Sequence, residues 1–140
     1  MLFYEFVPLD NSILISAELN KFKCVILIER RVDTALRADV GRQLIERGCL
    51  YVMAWGRDCS IWDDVVDHEL LQKFEYGEVP DDQFVMTTWH ENQTLEEVIR
   101  FAKIDASMSY ADEPLHDLLI LDLGSENRET FIKQTFANVH

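Results

Sequence analysis

Cys59, His90 and Glu91 are the residues whose types and spacing come nearest to a reaction centre. A thiol at a strand-to-helix turn is acidified by the helix N-terminus, and backbone N–H groups there can hold an oxyanion. His90 would serve as its base, with Glu91 or Asp58 orienting the imidazole, as in nucleophilic hydrolases. Two features oppose this chemistry. The run G-R-D-C-S is neither the G-x-S-x-G elbow nor a cysteine-protease signature. Asp58, Asp63 and Asp64 would also hold the sulfur in its protonated form. Cys59, His90 and Glu91 therefore stand as catalytic candidates without a complete signature.

The same stretch offers a binding surface. All three tryptophans (Trp55, Trp62, Trp89) lie between Cys49 and Glu91, and twelve carboxylates between Arg57 and Glu97 face one Arg and one Lys. That segment holds −10 of the chain's net charge of −13. Trp55, Arg57, Asp58 and Trp89 at strand ends, with Asp63, Asp64 and Asp67 on a helix, are the candidate binding residues. Trp62 falls on an apolar helix stripe and reads as core. Asp64 and His68 are an i,i+4 pair able to share an ion, but acidic residues also gather in a helix's first turn to meet its dipole. His90-Glu91 begins like H-E-x-x-H, yet Thr94 stands where the second His belongs. Glycine-rich phosphate loops are missing too, so neither a metal nor a cofactor is expected.

Charge and composition narrow the partners. A pI near 4.5 repels nucleic acid and anionic membrane and favours a basic protein. Three cysteines without C-x-x-C spacing indicate neither a disulfide frame nor a zinc knuckle. No apolar run reaches the ~18–20 residues of a membrane span, and a cytoplasmic location is expected. One hundred and forty residues with five glycines and three prolines suit a single domain over residues 1–140.

Those candidates need a scaffold, and the periodicity supplies one. Continuous apolar runs at Lys23–Ile28, Cys49–Trp55, Gln83–Trp89 and Leu118–Leu123 suit strands covered on both faces. Helical patterns separate them. The first opens at Asp33 and stops at Gly48; the second opens at the Ser60-x-x-Asp63 box and ends by Gly77 and Pro80. A third follows the Thr94-x-x-Glu97 box and buries Leu95, Val98, Ile99 and Ala102. A last one starts near Ser125, with Phe131, Ile132 and Phe136 on one side. Four alternations of strand and helix predict an α/β three-layer sandwich with a mainly parallel four-stranded sheet, in the order 2-1-3-4. The first twenty residues read as an extended arm or as an edge hairpin of Leu2–Val7 and Ile13–Ser16, adding an edge strand.

The segments G-C-L-Y-V-M-A-W-G-R-D-C-S-I-W-D-D-V-V-D-H and P-D-D-Q-F-V-M-T-T-W-H-E-N, with L-E-E-V-I-R-F-A-K, resemble a family of small bacterial proteins known only as a domain of unknown function. The likeness covers Lys23 to Glu129. It implies a bacterial, cytoplasmic, free-standing domain, no activity, and no functional residue to carry over.

Two functions are then in contention. One is an acidic module that binds a basic protein, of the immunity or antitoxin kind or an accessory subunit. The other is a small-ligand domain or Cys/His hydrolase at the strand ends. The missing catalytic signature favours the module.

Overall fold

The run F-K-C-V-I-L-I is buried from end to end, which a strand achieves only when helices cover both its faces. It forms β2 (Phe22–Ile28) in the computed structural model, which describes residues 1–8, 15, 19, 21–106, 115 and 117–139. The other elements are β1 (Leu2–Phe6), α1 (Thr34–Glu46), β3 (Cys49–Gly56), α2 (Ile61–Lys73), β4 (Met86–His90), α3 (Leu95–Arg100), β5 (Asp117–Leu123) and α4 (Glu129–Asn138). A 3₁₀ turn at Asp81–Gln83 precedes β4, and a π turn at Phe101–Asp105 extends α3.

The described strands form one sheet in the order β1-β5-β2-β3-β4, parallel throughout. The α/β class holds, but two details are corrected. Among the described residues there are five strands, and the four expected runs stand in the order 4-1-2-3 instead of 2-1-3-4. The chain steps outward from β2 to β4 and then returns to place β5 on the other side of β2. Side-chain polarity explains this arrangement: L-L-I-L is buried in β5, whereas M-T-T-W in β4 stays partly exposed, as an edge allows.

The N-terminal edge strand is present, while the second arm of the expected hairpin lies largely outside the described residues. The edge strand lies parallel to β5, from Leu2 against Leu118 to Phe6 against Asp122. Of Ile13–Ser16 only Ile15 is among the described residues; it is buried, and its N–H donates to Gln43 Oε1 at 2.9 Å.

Right-handed crossovers running in opposite directions must lie on opposite faces. Accordingly α1 and α2 cover one face, over Cys24, Ile26, Val52, Ala54, Leu119 and Leu121. On the other face, α3 and α4 cover Val25, Leu27, Met53, Leu118 and Ile120. Trp62 of α2 is fully buried in the first core, as its stripe requires. Phe131 is exposed, because Ile132 and Phe136 take the inward face of α4.

Two caps form as expected. Asp33 Oδ1 accepts from Leu36 N at 2.7 Å, and Thr94 Oγ1 accepts from Glu97 N at 3.1 Å. Ser60 makes no side-chain cap. Backbone bonds from Ile61 N to Asp58 O and from Trp62 N to Cys59 O have already wound this turn, so Ser60 sits in helical geometry rather than the extended form a cap needs. Among the described residues no helix is long and apolar enough to cross a membrane.

Candidate functional site

The carboxyl ends of β3 and β4 bring the expected groups to one end of the sheet but divide them between its faces. Trp55 pairs with His90 across the ladder, and both point to the α3 side. Trp55 Nε1 donates to Gln93 O at 2.7 Å. The His90 ring lies 4.7 Å from that of Phe101, with Nε2 2.9 Å from Thr88 Oγ1 and Nδ1 3.0 Å from Gln93 Oε1. Gln93 Oε1 can only accept, so Nδ1 carries the proton and Nε2 accepts from the Thr88 hydroxyl. Burial lowers the pKa of His90, only partly opposed by the Gln93 bond, which agrees with this neutral form.

Cys59 is 1% exposed and lies in the core on the α1–α2 side. Backbone groups of His90 and Gly56 reach the sulfur, but the His90 imidazole is turned to the other layer and held by Thr88 and Gln93. Burial pushes the Cys59 thiol up, with Glu91 adding to the rise against backbone hydrogen bonds that lower it. Cys24 is likewise raised by burial, and Cys49 is pushed up to about 12. Iodoacetamide near neutral pH is therefore expected to leave all three thiols unlabelled in the native protein and to label all three in denaturant, as counted by mass spectrometry. Rapid native labelling of Cys59 alone would show a thiolate that this geometry does not provide.

The rest of the rim is exposed. Gly56 adopts φ +104, and Asp58 takes the left-handed conformation at φ 54. Arg57 N donates to Ile28 O at 2.8 Å while its guanidinium reaches Asp58 only at 3.9 Å. Glu91 is exposed beyond β4.

The true reversal of strand order falls between β2 and β5, where ligands of open α/β sheets commonly bind. Here it holds a closed polar network. Asp122, 0% exposed, accepts from Tyr4 OH at 2.6 Å, Gly124 N at 2.9 Å, Arg128 Nη2 at 2.7 Å and Arg128 Nε at 3.1 Å. Arg128 also pairs with Glu29, and its backbone N–H donates to Tyr4 OH at 2.8 Å. Burial and the neighbouring carboxylate raise the Tyr4 pKa, so the phenol remains a donor. A Cβ on Gly124 would stand 2.8 Å from Asp122 Oδ1 and 3.0 Å from Arg128 Nη2, so a side chain there would shift the polar tips of the network. With its carboxylate saturated, the network clips β1 and the start of α4 to the sheet. None of Tyr4, Glu29, Asp122 and Arg128 is among the candidates that the sequence singles out. The signal was a lone Asp inside L-L-I-L-D-L, since a buried charge demands a partner.

Of the candidate binding residues, Asp63, Asp64 and Asp67 lie on α2 and Trp89 on β4, whereas Trp55 is on the α3 side and Arg57 and Asp58 are in the turn after β3. Thr87 of β4 is hydrogen-bonded to Asp63 Oδ1 of α2, and Asp67 follows one turn later on the same helix. Thr87 and Trp89 share a face of β4, two residues apart. Trp89 is 47% exposed. Burial raises the pKa of Asp67, and the charges of Asp63 and Asp64 raise it further. Asp63, Asp64 and Asp67 have no ion-pair partner among the described residues. By contrast Asp39 and Glu46 pair with Arg42, Glu29 and Asp122 with Arg128, and Glu129 with Lys133. No group of three or more His, Cys, Asp or Glu among the described residues is placed to hold a metal ion.

One family model matches residues 4–139, nearly the whole chain. The chain belongs to the family described as Domain of unknown function (DUF7684). No curated protein and no solved structure matches it. Membership in DUF7684 names no activity.

Proposed function

We propose that the protein is a binding module that captures a basic protein on the acidic face of α2 and β4. An immunity- or antitoxin-like inhibitor of a basic protein, or an accessory subunit, is the setting this suits. The observation that carries the reading is the row Asp63, Asp64 and Asp67, which has no ion-pair partner among the described residues, on a chain of net charge −13. Carboxylates that repel one another gain when a cation docks, and a concentrated field of one sign speeds encounter with the opposite sign.

The test uses the chain as bait. Proteins captured at low salt and released at high salt are identified, and the association rate of the purified partner is then measured. The triple variant Asp63→Asn, Asp64→Asn, Asp67→Asn is expected to keep its fold and to lower the on-rate about tenfold at low ionic strength. Raising salt should slow the parent's association too, since steering is screened over ~8–10 Å. A salt-independent rate, or one unchanged in the triple variant, would refute the acidic face as the docking surface.

A further inference from the structure

We propose that the basic partner docks as an extended strand added to the outer edge of β4, with a Lys or Arg side chain against Trp89. This deepens the basic-partner reading and rests on it. β4 is the last strand of the sheet, with a neighbour on one side only among the described residues. Every second residue of such a strand turns its N–H and C=O outward, where only another extended backbone can satisfy them in register. Edge strands are commonly blunted by Pro, Lys or a bulge, whereas M-T-T-W-H contains neither residue and pairs with β3 in unbroken register. Its β-branched and aromatic side chains favour pairing.

The charge beside the edge selects the occupant. Thr87, on the Trp89 face of β4, is bonded to Asp63, so the indole, the edge and the carboxylates of α2 form one strip. A second copy of this chain would bring two such acidic strips together and be repelled. A strand with Lys or Arg on one face would meet the carboxylates, and one cation would lie on the half-exposed indole. Main-chain bonds then give affinity, and the alternate side chains give selectivity.

The test uses two peptides of about nine residues that alternate lysine with threonine or valine, identical except that one is N-methylated at every interior residue. Both carry the same charge, but the methylated one has lost its interior ladder donors. Calorimetry at low salt is expected to show the unmethylated peptide binding at least about tenfold tighter, the worth of two or three hydrogen bonds. Trp89→Ala should weaken it about three- to fivefold without unfolding the protein. Amide exchange should slow within Met86–His90. Equal affinity of the two peptides would overturn strand addition while leaving electrostatic capture by the acidic face intact. Binding of neither peptide, or binding unaffected by neutralising Asp63, Asp64 and Asp67, would overturn the basic-partner reading itself. A concentration-dependent homodimer that protects the same β4 amides would also overturn the proposal, by making a second copy the occupant.

Discussion

Replacing Asp122 by Ala is expected to destabilise the fold by about 3–5 kcal/mol, the usual cost of breaking a buried ion pair from one side. The carboxylate is fully buried and is bonded to Arg128, Tyr4 and the Gly124 N–H. Without it the Arg128 guanidinium, only 18% exposed, keeps Glu29 alone, and two further donors lose their acceptor. Tyr4→Phe removes less: Asp122 loses one donor of several, and the Arg128 N–H loses its acceptor. Its cost should be about 1–2 kcal/mol. Urea unfolding at neutral pH, with the dependence on denaturant unchanged, separates the two variants. An Asp122→Ala loss below about 1 kcal/mol would mean that the network does not clip β1 and α4 to the sheet.

Gly56→Ala should cost about 3 kcal/mol, by a different route. At φ +104 an L side chain is strained, which alone is worth about 1–3 kcal/mol. The added Cβ would also stand 2.1 Å from Ile28 O, the acceptor of the Arg57 N–H bond. The backbone of β2 or the Gly56–Cys59 turn must then move, with a further cost of about 1–3 kcal/mol from overpacking. Because α2 begins at Ile61, displacement of this turn should also disturb the packing of Trp62, visible as a shift in tryptophan fluorescence. Parent-like stability would show that the turn relaxes freely and does not fix the start of α2.

The elements were legible because their local chemistry is strong. The apolar runs at Cys24–Ile28, Val52–Ala54 and Leu118–Leu121 leave no alternative to buried strands, and Asp33 and Thr94 cap helices that were read from spacing alone. Strand order was harder to read. It depends on which side of β2 the returning chain takes, and the only local trace is the polarity of Thr87 and Thr88 on an edge. The expected pairing of Cys59 with His90 failed for a related reason. Closeness at a strand end says nothing about which face a side chain takes, and alternation along β4 turns the imidazole to Phe101 while the thiol lies under α2. The acidic strip is a local feature, because Asp63, Asp64 and Asp67 are helix neighbours whose proximity needs no long-range contact. Its alignment with Trp89 emerged only once α2 was packed beside β4.

The most direct test of the α2–β4 face is amide NMR mapping as the unmethylated lysine peptide is added at low salt. The expected result is that resonances of Asp63, Asp64, Asp67 and Met86–His90 shift together with one affinity, and that added salt reverses the shifts. Shifts confined instead to the groove between α3 and α4, around Glu96, Arg100, Thr135 and Asn138, would contradict it.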